Sequence, residues 1–153
     1  MSEANQITRR NRGHNVSFVI DELNLYIRGW LQYYRLSSTY TEVLGLSQWV
    51  RRRVRLYYWK QWKQPRTRRR HLLALGADPK TVHMATRSRK GYWRMSQNEI
   101  VRFALNNRWL EEQGVPDLNA VAAIAAWKTA KPNRMDEVKA IWIKLHYGPD
   151  ARV

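Results

Sequence analysis

The chain of 153 residues contains no cysteine. That absence excludes disulfides, cysteine-ligated zinc fingers and a cysteine nucleophile. Long apolar runs are missing too. The longest, Ala120 to Trp127, falls far short of the ~18–20 residues that a membrane span needs. The opening MSEANQITRRNRG lacks the apolar core of a secretory signal. A soluble, cytoplasmic protein without a membrane partner is therefore expected. Acidic residues are scarce, and they are scattered. Asp21, Asp78, Asp117, Asp136 and Asp150 include no adjacent pair, whereas two-metal phosphoryl or nucleotidyl transfer needs clustered carboxylates. His14, His71, His83 and His146 show neither HxH nor HxxxH spacing, and no P-loop or GxSxG occurs. Glu111-Glu112 reads as a helix-end acid pair. No catalytic residue, metal site or cofactor is expected, and the chain alone is read as non-enzymatic.

What the chain has in abundance is positive charge. Lys plus Arg number 28 against 12 Asp plus Glu, a formal net charge of +16. The excess is concentrated. Between Val43 and Asn98 lie fifteen Lys or Arg and a single acid, Asp78. A solvated face normally mixes signs, so this segment points to a polyanionic partner. An anionic membrane would call for a basic helix with a clean apolar side. Eight Trp and eight Tyr scattered through the basic segments suit base stacking better.

Periodicity reads as nearly all helix. Asn15 is a candidate N-cap for a helix over 16–35. Its stripe is Ile20, Leu23, Ile27, Trp30, Leu31 and Tyr34 at i, i+3, i+4 spacing. Gly29 lies off the stripe and suggests a close backbone approach by another element. Residues 36–45 read as a connector in which Thr39 and Glu42 have capping-box spacing. A second helix is expected over 47–63, ending before Pro65. Leu46, Val50, Val54 and Tyr57 form its apolar stripe, and the far side collects Arg51, Arg52, Arg55, Trp59, Trp62 and Lys63. A third helix over 67–75 should stop at Gly76. Asp78-Pro79 opens a short helix to Ala85, and residues 87–95 read as a basic loop. The capping box Ser96 to Glu99 opens a helix to Asn106 with Ile100, Phe103 and Ala104 buried. A turn over 109–113 follows, ending at Gly114. Residues 118–130 are alanine-rich, and 136–147 read as one more amphipathic helix. The expected fold is all-α, a small bundle of about five to seven helices with a basic face. Leu23, Ile27, Trp30, Tyr34, Val50, Val54, Tyr57 and Phe103 are its expected core.

Three stretches carry the binding chemistry. The first holds Arg51, Arg52, Arg55, Trp59, Lys60, Trp62 and Lys63. The second holds Arg66, Arg68, Arg69 and Arg70. The third holds Arg87, Arg89, Lys90 and Arg94, around Gly91-Tyr92-Trp93. Arginine suits phosphate because its planar fork donates paired, charge-assisted hydrogen bonds. Trp59 and Trp62 either stack on bases from the basic face or pack against Trp30 and Tyr33. Trp49 and Trp93 read as core or hinge residues.

These stretches, in this order, resemble the maturase-specific domain (domain X with part of the thumb) of group II intron reverse transcriptases. Leu23-Asn24, Arg28-Gly29-Trp30 and Tyr33-Tyr34 resemble its LN…RGW..Y opening. Trp49 to Arg55 followed by Trp59-Lys60-Gln61-Trp62-Lys63 resembles its WxRRRxR…WKQWK centre. Arg70 and Leu72 to Gly76 resemble the next basic helix and its stop. Ser88 to Ser96 resembles its SRKGxWRxS loop. The likeness runs over about 9–113. It divides the chain into a basic tail or end of a preceding helix (1–14), an RNA-binding domain (15–113), and an alanine-rich segment with a C-terminal helix (114–153). Trp142 to Tyr147 resembles the WxxxHY ending of one branch, with the alanine-rich segment standing before it like an insertion.

The resemblance implies binding of structured group II intron RNA, within a bacterial ribonucleoprotein, and help with its folding and splicing. Template-primer nucleic acid and a reverse transcriptase palm are further implied partners. The palm's paired aspartates and the Cys/His-rich endonuclease domain are absent from this sequence. Two other readings stay open: a thumb or accessory subunit of a polymerase supplied in trans, and a non-specific basic nucleic-acid-binding protein.

Overall fold

The computed structural model describes residues 2–9, 11–34, 40–118 and 120, and every regular element among them is a helix. In order they are α1 Ser2–Ile7, α2 Val16–Tyr34, α3 Tyr40–Gln61, α4 Pro65–Ala74, α5 Pro79–Thr86, α6 Tyr92–Met95, α7 Glu99–Ala104 and α8 Asn107–Glu112. The all-α expectation holds. The number among the described residues exceeds the expected five to seven because α1 and the single turn of α6 arise where a tail and a loop were read.

α2 follows its sequence closely. Val16, Val19, Ile20, Leu23 and Ile27 are buried along one stripe, and Trp30 and Leu31 are half-buried against the same core. Full burial stabilises by roughly 1.5–3 kcal/mol per large aliphatic side chain, so this stripe alone holds α2 in place. Gly29 is exposed, and a Cβ added there would meet nothing within 4 Å. Among the described residues the expected close approach is therefore absent. The Tyr34 side chain, residues 35–39, and the expected helices after Ala120 lie outside the described residues.

α3 starts earlier than expected, taking in residues 40–45 that were read as a connector. It packs on α2 and on α6. Val43, Leu46, Val50, Val54 and Tyr57 are buried as the stripe requires. Yet Val54, Arg55, Leu56, Tyr57, Tyr58 and Trp59 are all buried in succession, so this stretch has no solvent side. α3 is the central helix of the fold rather than a half-exposed one.

Helix ends follow local chemistry. α4 ends in a Schellman motif at Gly76 (φ 86°), where the Ala77 amide donates to Leu72 O and the Gly76 amide to Leu73 O. α8 ends the same way at Gly114 (φ 95°), with the Val115 amide donating to Leu110 O and the Gly114 amide to Glu111 O. Asp78 caps α5 by accepting from the Thr81 amide at 3.1 Å, with Pro79 at the first helical position. α7 is capped by Asn98 and not by Ser96, whose hydroxyl instead donates to Trp93 O at 2.6 Å. With that start, Val101, Ala104 and Leu105 face inward. Phe103 lies two residues beyond Val101, about 200° round a helix that advances ~100° per residue. It is 60% exposed, which corrects the expectation that it is core.

The chain stays packed past Gly114. Val115 and Leu118 are buried, and the Asn24 amide donates to Gly114 O at 2.8 Å. No helix among the described residues is long and apolar enough to cross a membrane.

Candidate nucleic-acid interface

The arginines of α3 do not form one surface. Arg51 is 9% exposed and donates to the carboxylate of Asp117 at 3.2 Å, with Glu111 at 3.7 Å. Arg55 is equally buried. Its Nε donates to Leu105 O at 2.8 Å and its Nη2 to Asn107 Oδ1 at 3.0 Å. Burial, with Arg102 and Arg51 nearby, pushes the Arg55 guanidinium down to about 10. It is still a cation at neutral pH, but its fork is engaged inside the protein. These two residues pin α3 to the segment 105–117, so neither presents a free fork to phosphate.

Arg52 and Arg53 are half-buried. The Arg52 guanidinium lies 3.6 Å above the Trp93 ring and donates to Trp93 O at 3.1 Å and Ser96 Oγ at 3.4 Å. A cation over an indole face is held by the ring quadrupole. Trp93 itself is 41% exposed, so it is not core. Arg53 reaches toward α1, donating to Thr8 Oγ1 at 3.1 Å and Asn5 Oδ1 at 2.9 Å, and lies 5.2 Å from Trp49 and 5.6 Å from Trp93. Burial lowers both guanidiniums below the ordinary arginine value.

The two tryptophans of the WKQWK stretch pack inward. Trp59 is 1% exposed and Trp62 6%. Trp62 stacks on His71 (4.5 Å, 8° between planes) and leans on Tyr58, which meets Trp109 edge-on. Burial, then Arg70, pushes the His71 imidazole below its usual value. Arg68 is also buried. Its Nε and Nη2 both donate to Trp59 O, at 3.2 and 3.0 Å, and its guanidinium lies 4.6 Å from the Trp59 ring. A cation on a carbonyl of the last turn of α3 also complements the helix dipole. Of the expected stacking pair, neither ring has a face open to a base.

The remaining expected residues lie outside. Lys63, Arg66, Arg69 and Arg70 are exposed at the α3–α4 corner and along α4, whose inner face is Arg68 and Leu72. Lys60 is half-buried beside them. Arg87, Arg89, Lys90 and Arg94 are exposed between α5 and α6. Among the described residues, the ion pairs involve only Arg12, Arg51 and Arg108. The outer cations thus have no carboxylate within ion-pair reach there. Sequence reasoning missed Trp93 as an exposed ring, although its place between Lys90 and Arg94 was a signal. It missed the exposed Arg102-Phe103 pair as well.

A comparison with protein families finds that residues 3–76 match the model described as "Group II intron, maturase-specific domain". That stretch covers α1 to α4 and the Lys63 to Arg70 patch, and the Arg87 to Arg94 patch lies beyond it. No curated protein matches the chain.

Proposed function

Because residues 3–76 match the model of the group II intron maturase-specific domain, we propose that this chain binds structured group II intron RNA and assists its folding and splicing without polymerising nucleic acid itself. The observation that carries this reading is the outer cation set. Lys63, Arg66, Arg69, Arg70, Arg87, Arg89, Lys90 and Arg94 are exposed and, among the described residues, without an ion-paired acid. Cations held this way neutralise phosphates where RNA helices pack, release counterions, and lower the repulsion that opposes compaction. Trp93, with Arg52 stacked on it, adds an exposed aromatic surface among those cations. Recognition would follow the shape of junctions rather than base sequence.

The test is a salt titration of binding to a folded group II intron RNA, with a scrambled RNA of equal length as competitor. A preference of about tenfold or more for the folded intron, or about 1.4 kcal/mol, at physiological salt is the expected result. Equal affinity across all salt concentrations would make the chain a general polyanion binder and overturn the maturase reading.

A further inference from the structure

Beside α7, an open cleft of about 540 Å³ is lined by Arg55, from the family-matched segment, and by Gln97, Glu99, Arg102, Phe103, Asn106 and Asn107 beyond it. That volume is of the size that small-molecule ligands occupy. Its chemistry is unlike an apolar groove for a protein helix. It offers one exposed aromatic ring, two guanidiniums, three carboxamides and a single carboxylate. Phe103 stands 60% exposed, turned to the cleft side of α7 while Val101 and Ala104 take the core side.

The charge at the cleft floor is unbalanced. Arg51, one turn away on α3, has Asp117 and Glu111 as partners. Arg55 has only neutral acceptors, Leu105 O and Asn107 Oδ1, and no carboxylate within ion-pair distance among the described residues. Arg102 lies close enough to Arg55 to oppose its charge. Two like charges lining one cleft, one buried and one exposed, favour an anion beside the exposed one. Glu99 and Arg102, one turn apart on α7, offer an acceptor for a group with N–H donors and a cation for phosphate side by side.

We propose that this cleft holds one unpaired nucleotide of the bound RNA. Its base stacks on Phe103, its phosphate lies by the exposed Arg102, and its exocyclic amino group faces Glu99 and Gln97. A nucleotide satisfies the ring, the cations and the acceptor together, which an inorganic anion or an apolar side chain does not. This inference rests on the RNA-binding reading above and adds a site whose lining, apart from Arg55, lies outside residues 3–76.

The test compares two RNA hairpins, identical except that one carries a single bulged adenosine and the other is fully paired. The wild-type chain is expected to bind the bulged hairpin about tenfold more tightly, within the range that one base on one aromatic ring supplies. Phe103→Ala and Phe103→Leu are expected to abolish that preference while binding the paired hairpin as before. Both should keep the wild-type melting temperature, because the ring is outside the core. A bulge preference that survives Phe103→Ala overturns the proposal. So does one that survives Phe103→Leu, since leucine keeps bulk but has no π face. Salt-dependent binding to both hairpins with no preference overturns the cleft and leaves the RNA reading standing. Failure to bind either hairpin overturns both.

Discussion

A guanidinium inside a helical protein has two ways to be satisfied: phosphates or carboxylates from outside, or carbonyls at a neighbouring helix end. Arg55 and Arg68 take the second course. Each donates to a backbone oxygen at the end of another turn, Leu105 O for Arg55 and Trp59 O for Arg68. Leu105 is 0% exposed, so its carbonyl has little access to water as a substitute. Arg55→Gln is too short to reach it. The expected cost is about 1–3 kcal/mol, the penalty for a buried polar group left unpaired, measured by urea denaturation. The same variant should leave the salt dependence of binding to a fully paired RNA unchanged. A stability within about 0.5 kcal/mol of wild type would show that the carbonyl is satisfied another way. Nothing in Arg51-Arg52-Arg53-Val54-Arg55 separates these roles in advance. The acceptors of Arg51, Arg52, Arg53 and Arg55 lie 41 to 66 residues away along the chain. Arginine also carries a long apolar stem that tolerates burial. So the residue type predicted a cation, and only the tertiary neighbours decide where the fork ends.

At the scale of elements, what was legible is what local chemistry controls. The stripe of α2, the Schellman stop at Gly76 and the Asp78-Pro79 start of α5 are each specified within a few residues, and each was expected. α7 shows the limit. Ser96 and Asn98 are both candidate caps by residue type. Ser96 is the αR C-cap of α6 with its hydroxyl on Trp93 O, so Asn98, in the extended region, caps α7. The packing of α7 on α4 and α5 then sets that Val101 faces in and Phe103 out, which a cap signal does not report. α3 misled for another reason. Its apolar stripe is real, but neighbours also cover the opposite side, and periodicity cannot report a second covering layer. In α4 three of the four expected cations face out, Arg66, Arg69 and Arg70, while Arg68, expected with them, is buried beside Leu72 and corrects that expectation. Replacing those three with Gln should keep the helix, since the two residues have nearly equal helix propensity. If each contacts one phosphate, the slope of log affinity against log salt should become shallower by about 2–3 units. An unchanged slope with unchanged helicity would move the interface to the Arg87 to Arg94 side.

For the whole molecule, the balance between ion pairs and net charge decides how salt acts. The formal charge is +16. Ion pairs among the described residues join only Arg12 to Glu22, Arg51 to Glu111 and Asp117, and Arg108 to Glu112. The first is a tight, paired contact that holds the Glu22 carboxyl below its usual range, chiefly through the Arg12 hydrogen bond. The last is exposed at both ends and contributes little. Repulsion among the many remaining cations therefore outweighs these attractions. Raising salt from about 0.01 to about 1 M shortens the screening length from roughly 30 Å to roughly 3 Å. The melting temperature of the protein alone should rise over that range. With RNA present the direction reverses. Bound RNA stabilises the folded chain by RT ln(1 + [RNA]/Kd), and its affinity falls steeply as salt rises. Two melting series, with and without RNA, should start apart at low salt, with the complex more stable, and converge at high salt. A free chain that melts at lower temperature as salt rises would mean that attractive pairs dominate its electrostatics. It would then have no self-repulsion for a polyanion to relieve.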